Sequence, residues 1–540
     1  MKKLKLIFVC MLISTVGLVM TSCHSLKQPK EIPQPLNYSD ADIVQAETER
    51  IDGMLESQPV RALWRSLLLG RDDIIEKAKS NLETRFEKAL EEKDYFSAKK
   101  YYKSLVSAGW KNSKYSATEI EKLYSSYIPG ISGKNSKAPA TIAQCMDATV
   151  TVWLDKGVTV RNGAGYADIT IGSGFFIDNR GYLITNHHVI DAMVNPKYEG
   201  YSRLYVKLLE DPDTKIPAKV VGYDPILDLA LLKVEIEPKY VLNLGSSSQL
   251  QIGNRVSAIG TPIGLQGTLT SGIVSSTERK LLTLGNVFQI DAAVNSGNSG
   301  GPLIDEKLNV QAIVFAGILT HQGLNFAIPV EYLRQELPQL YNGDEVQHAW
   351  IASYGHTYRQ GNKKAGLEIQ YVLPGGSAAM SGFTAGDVIT EVDGVAVSSI
   401  EDFQFLLMAY EAETLLTCKY TDSQGQSKSK LIYLDKRPED PGVLVYNTDF
   451  ASNAFVPLFG MKLIASSTTN KNSYTIEEII KGSSADQMSF SERDSVEIHD
   501  IKLDKQNKYI LATIYTRRQK KGFLDISMVL STSFDDPYYF

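Results

Sequence analysis

Residues 291–305, DAAVNSGNSGGPLID, constrain this chain more than any other stretch. Ser299 sits between Gly297 and the pair Gly300–Gly301, and the apolar runs FQIDAAV and PLI on either side read as buried strands. Glycine has no Cβ, so the backbone there can adopt turns and close approaches that other residues forbid. Such a turn either only reverses the chain, or leaves backbone N–H groups free to point at a bound group. The rest of the sequence decides between the two.

At 540 residues the chain is too long for one core, and roughly 100–200 residues per domain predicts several units. A net charge of -6 gives no global basic field, so no nucleic-acid partner is expected. The 7 histidines are scattered apart from His187–His188, and no Cys-x-x-Cys occurs, so neither a metal nor another cofactor is expected. The N-terminus reads as a targeting segment: Lys2, Lys3 and Lys5, the apolar run LIFVCMLISTVGLVM, then TSC ending at Cys23. Ser before Cys resembles the lipobox of bacterial lipoproteins, with Met20 where that pattern prefers Leu. The resemblance implies a signal peptide over 1–22, lipidation of Cys23, and attachment to an envelope membrane on its periplasmic side. A single acyl chain binds membranes only marginally, so stable anchoring needs more than one. Cys145 and Cys418, the remaining thiols, fall in segments assigned to different domains, so the chain is no disulfide scaffold and its stability must come from cores.

Residues 23–37 are Pro- and Lys-rich and read as a tether. Over 38–128, Ile75, Ala78, Leu82, Phe86, Ala89 and Leu90 recur at helical spacing; EEKD interrupts them, and Ala98, Tyr101, Tyr102 and Leu105 resume the pattern before Gly109. KDYFSAKKYYKSL resembles half of a tetratricopeptide repeat, and one such hairpin cannot bury its faces alone. The region is either a helical spacer or a peptide-binding groove. A linker, IPGISGKNSKAPA, follows. Short apolar runs such as GSGFFI, GYLIT, LALLKVEI and RVSAIG then predict a strand-rich barrel or sandwich. Beyond it, GGSAAMSGFTAGDVI and GSSADQMSFSERDSV share a skeleton, which indicates an internal duplication.

Ser is a poor nucleophile until a His takes its proton and an Asp holds that His in the right tautomer. GYLITNHHVID supplies His at a strand end, and VGYDPILDLALLKV supplies Asp228 at the mouth of an apolar strand, where an unpartnered carboxylate would be costly. The chain order His, Asp, Ser is that of chymotrypsin. GSGFFID…GYLITNHHVI, DPILDLALLKV, DAAVNSGNSGGPLID and GLNFAIPV together are similar to the HtrA/Deg family of trypsin-fold serine endopeptidases, and LEIQYVLPGGSAAMSGFTAGDVITEVDG looks like that family's PDZ domain.

The resemblance implies a multidomain chain. An all-α N-terminal region precedes a chymotrypsin-like double β-barrel protease domain over 141–340. Two PDZ-like α+β domains follow, at 345–437 and, more divergent, at 440–538. By motif, His188 is the general base (the Thr-Asn-x-His pattern selects it over the adjacent His187), Asp228 its orienter and Ser299 the nucleophile. Asp224, before Pro225 in a turn, is assigned a structural role. Backbone N–H groups of Gly297 and Ser299 would form the oxyanion hole, with Asn298 shaping the turn. Ala293 lies at the base of the specificity pocket, which favours small aliphatic residues over Lys or Arg. GLQGTLTSGIV and LLTLGN resemble the family's activating loops.

The PDZ carboxylate loop is placed at His348, Ala349, Trp350, Ile351 and Ala352, where Ile351–Ala352 departs from the family's Leu-Gly. Expected partners are unfolded proteins and peptide C-termini, and a homo-oligomer, a trimer by resemblance. The expected activity is cleavage of misfolded envelope proteins. The alternative is an envelope chaperone or peptide-binding scaffold with weak or vestigial protease activity.

Overall fold

The computed structural model describes residues 38–540 except 112–113, 127, 130–136, 262–266, 282–283, 296, 318–323 and 520–522, together with 29, 32, 33 and 36. The expected signal peptide and Cys23 therefore lie outside the described residues. The chain divides into two compact units, one built from 35–437 with 537–540 and one containing 438–536.

The first unit begins with five helices, α1 (Ala41–Met54), α2 (Pro59–Leu69), α3 (Asp72–Glu91), α4 (Tyr95–Ser107) and α5 (Ala117–Ser125). In α3 the buried stripe is Ile74, Ala78, Leu82, Phe86 and Ala89. It runs through Ile74 rather than Ile75. The EEKD interruption is a turn in which Lys93 takes φ 59° and Asp94 caps α4 by accepting the Ser97 N–H. The helices do not stand alone. Trp64 stacks on Tyr433 with ring centroids 5.5 Å apart, and Leu415 joins the same core. Phe96 meets Tyr124 and Tyr341 edge-on or tilted. The apolar faces that one hairpin cannot bury are thus covered by neighbouring strands and a helix of the same unit.

After the short α6 (Ile142–Asp147) come β1 (Thr149–Arg161), β2 (Ala164–Phe176), β3 (Tyr182–Thr185), α7 (His187–Val194), β4 (Arg203–Leu208), β5 (Ile216–Asp224) and β6 (Leu229–Val234). Antiparallel pairing runs β1–β2–β3–β6–β5–β4 and returns to β1, closing a first barrel around Val150, Val152, Phe176, Leu232 and their neighbours. A second closed barrel holds β7 (Arg255–Gly260), β8 (Thr268–Arg279), β9 (Val287–Ile290), β10 (Pro302–Ile304), β11 (Val310–Gly317) and β12 (Asn325–Pro329). The second sheet closes without a free edge, and in the first the far end of β5 is paired in parallel by Asp344–Glu345. Helix α8 (Val330–Asn342) then lays Leu333, Leu337 and Leu340 into the core.

The same unit continues with β13 (Ser353–Gln360), β14 (Lys363–Val372), α9 (Ser377–Met380), β15 (Val388–Val392), α10 (Ile400–Met408), β16 (Leu415–Thr421) and β17 (Ser427–Tyr433). The strands pair in the order β13–β14–β15–β16–β17. Cys145 and Cys418 are both free and buried.

The second unit has α11 (Pro441–Thr448), α12 (Ala451–Phe459), β18 (Met461–Ala465), β19 (Ser473–Ile479), α13 (Ser484–Gln487), β20 (Ser495–Asp504), β21 (Tyr509–Gln519) and β22 (Phe523–Ser533). The duplication is visible in backbone detail. Gly382 and Gly386 take φ 79° and 94°; Ser489 and Arg493, at the matching places, take 59° and 70°. Asp387 accepts the Thr384 N–H as Asp494 accepts that of Ser491. One part is not repeated: where α10 joins β15 to β16, β20 and β21 are joined by a turn from Asp504 to Tyr509.

Candidate active site

β3 delivers the chain to α7. Asn186, buried, precedes the helix and donates from Nδ2 to the carbonyl of Asp228 at 2.8 Å. His188 is the second helical residue. Its backbone N–H donates to Asp228 Oδ1 at 2.8 Å, and its Nδ1 lies 2.7 Å from Asp228 Oδ2. Both carboxylate oxygens therefore hold one residue. With the Nδ1 proton given to Asp228, Nε2 carries the lone pair that a general base needs. Asp228 holds φ 55°, a left-handed conformation that Asp tolerates better than most residues. His187 points elsewhere: it stacks on Tyr223 at 5.4 Å, and burial lowers its pKa.

Ser299 stands in the turn between β9 and β10. Its Oγ donates to the carbonyl of Phe315 at 3.3 Å, and not to His188. Asn298 donates its N–H to the carbonyl of Asn295 and accepts from Gly301, which sets the turn. Among the described residues no acceptor is recorded for the N–H groups of Gly297 and Ser299. A Cβ on Gly300, at φ 85°, would lie 2.2 Å from the Ser173 carbonyl, so the turn can pass between the barrels only as glycine. Ala293 is exposed, and its carbonyl accepts from Thr270 Oγ1 at 2.8 Å. Of the expected activating loops, 264–266 and 282–283 lie outside the described residues.

Ser173 escaped the sequence reading. From β2 of the first barrel it donates its N–H to the Ser299 carbonyl at 2.7 Å and its Oγ to the Gly297 carbonyl at 2.6 Å, and it accepts the Thr261 N–H at 2.9 Å. Its only signal is a hydroxyl between Gly172 and Gly174, just before the apolar end of the strand.

A second group no motif scan could assemble comprises Asp224, Glu336 and His348, all buried, their ligating atoms within 4.8 Å of one another. Asp224 Oδ1 accepts the N–H groups of Ile226 and Leu227, and its Oδ2 lies 2.9 Å from His348 Nε2. Glu336 lies 3.9 Å from His348 Nδ1, and burial raises its pKa. His348 was expected in the PDZ carboxylate loop; its ring is instead committed to Asp224. Ala349–Trp350 pair with Asp435–Lys436, Ile351 is in the core, and Ala352 takes φ 63° before β13. Ser353, one residue beyond the expected loop, donates its N–H to the carbonyl of Phe540 at 2.9 Å.

Two β-barrels flanking this site, followed by PDZ-type sheets, are the arrangement of a trypsin-fold domain with PDZ domains. Family models agree segment by segment. Residues 172–313 match the trypsin-like peptidase domain, 368–419 a PDZ domain, 442–534 the TP0546 family PDZ domain, and 42–124 a domain of unknown function, DUF8517. Curated relatives named "Probable periplasmic serine endoprotease DegP-like" include one from Marinomonas sp. (strain MWYL1), 33% identical over 51% of this chain and 59% of the relative. Another, from Bartonella henselae, is 37% identical over 50% of this chain and 54% of the relative. The chain thus spans little more than half the length of these relatives. Among solved structures, the HtrA-type protease AlgW with tripeptide is 26% identical over 57% of this chain and 98% of that one, with a TM-score of 0.45.

Proposed function

We propose that the chain is a serine endopeptidase of the cell envelope that cleaves exposed segments of misfolded proteins. The observation carrying this reading is the double grip of Asp228 on His188 in the first barrel, with the Gly297–Ser299 turn tied to that barrel through Ser173. In the reaction, Ser299 Oγ leaves its bond to Phe315, passes its proton to His188 Nε2 and attacks the scissile carbonyl. The Gly297 and Ser299 N–H groups receive the oxyanion. The C–N bond breaks as His188 returns the proton to the amine, and water then hydrolyses the acyl-enzyme by the same route.

In this reading Ala293 sets a preference for small aliphatic residues, Cys23 carries the lipid anchor, and the chain works as a homo-oligomer in the periplasm, the compartment for which its curated relatives are named. Among the described residues no helix is long and apolar enough to cross a membrane. The test is digestion of a reduced, denatured protein by the chain from residue 24, as wild type and as Ser299→Ala, with products mapped by mass spectrometry. Cleavage after small aliphatic residues by wild type alone is the expected result. Binding without cleavage by both would replace the reading with a chaperone or scaffold.

A further inference from the structure

The groove between β13 and α10 of the first PDZ domain is filled by the chain's own residues Pro537–Phe540. The segment adds to β13 as an antiparallel strand. Ser353 and Phe540 exchange N–H···O bonds, both 2.9 Å, Tyr354 pairs with Tyr539, and Gly355 donates to the Tyr538 carbonyl at 3.2 Å. Gln404 on α10 donates from Nε2 to the Pro537 carbonyl at 2.6 Å. Strand addition of this kind supplies affinity through the main chain and specificity through side-chain pockets.

The pockets here are aromatic. Phe540 is 2% exposed within the domain core and meets Phe403 edge-on at 5.3 Å. Tyr538 stacks on His356 at 3.7 Å. The segment also reaches the second barrel: Lys280, just past β8, sits 4.8 Å from the Tyr538 ring and pairs with Glu401 of α10 at 3.1 Å. Leu284 lines the same small space as Tyr539 and Phe540.

We propose that Pro537–Phe540 is a resident ligand of the first PDZ domain, so that a separate peptide of the same sequence binds the groove only when the segment leaves. A groove pre-formed around buried Phe540 cannot accept a second strand while the first is in place. A ligand on the same chain competes at an effective concentration on the order of millimolar. Linkage of this kind weakens an outside peptide by on the order of a hundredfold or more. The inference does not depend on the peptidase reading.

The test is fluorescence polarisation of a labelled FDDPYYF peptide. Three proteins are titrated, each carrying Ser299→Ala so that the peptide stays intact: the full chain, a chain ending at Asp536, and the full chain with Phe540→Asp. Near-UV circular dichroism checks that each is folded, and Phe540→Asp answers the question if truncation unfolds the domain. The expected result is binding about a hundredfold tighter to the truncated chain than to the full chain, an intermediate affinity for Phe540→Asp, and loss of binding when the peptide's last Phe is replaced by Asp. Equal affinity for full and opened chains overturns the proposal, as does no binding to a folded, opened chain.

Discussion

Ser173 in the first barrel gives its N–H to the carbonyl of Ser299 in the second, at 2.7 Å, and its hydroxyl to the carbonyl of Gly297. The nucleophile turn is therefore aligned from the opposite barrel, at two carbonyls flanking Asn298. Ser173→Ala leaves the Gly297 carbonyl without its donor and the Thr261 N–H without its acceptor. Each buried group left unmet costs about 1–3 kcal/mol. A misplaced oxyanion donor can cost on the order of a hundredfold in rate. The expected outcome is a drop of that size in kcat with KM little changed, read by steady-state kinetics on a peptide substrate.

Asp228 makes its two contacts to His188 with two different oxygens. Asp228→Asn keeps the shape but puts an amide donor against either the backbone N–H or the ring. By analogy with other triads, kcat should fall about ten-thousandfold, with the loss greatest near neutral pH. Ser299→Ala should remove acyl-enzyme formation altogether, and a fluorophosphonate probe that labels wild type should leave this variant unlabelled.

The Asp224–Glu336–His348 group predicts an alkaline weakness. Burial raises Glu336 above its ordinary value of 4.5, with His348 opposing and Asp224 adding to the shift. Burial alone would lower His348 below 6.5, but the charges of Asp224 and Glu336 outweigh it and raise it, with Arg437 opposing. Both groups hold protons more tightly folded than unfolded. Their contribution is complete at low pH and is lost as pH rises past each unfolded value toward the raised folded one. The melting temperature should fall as pH climbs from about 5 to about 9. Glu336→Gln, which cannot titrate, should flatten that fall; a parallel curve would refute the assignment.

Trp64 is 1% exposed and stacks on Tyr433. Trp64→Ala should cost about 3–5 kcal/mol, as large aromatic truncations in cores do. Trp64→Phe should recover much of it. Denaturant unfolding of the two variants side by side separates lost packing from general misfolding.

Much of this was legible in the chain because the chemistry sits in short motifs. NSGG, TNHH and DLALL mark the proposed triad by local spacing alone, and the barrels follow from apolar runs punctuated by turn residues. What was hidden depended on residues far apart in sequence. Ser173 reads as one small residue among glycines until the second barrel is brought against it. His348 reads as a loop residue because Asp224 and Glu336 approach it only in the folded chain. The second PDZ-type sheet lost the glycines of its turn, but Ser489 and Arg493 keep the left-handed backbone, so the skeleton outlived the letters that announced it. The tail YYF carried no motif at all; its role comes from the edge of β13.

Helix α4 places Phe96 against Tyr341 of α8, while α2 places Trp64 against Tyr433 of the PDZ sheet. The helical region is thus a splint across a joint. A PDZ domain hung on a bare linker would swing when its groove fills or empties. Here such a swing would have to peel aromatic rings out of two cores at once. Events in the groove must then reach the barrels as slight, guided shifts along Lys280 and Leu284 rather than as the opening of a hinge.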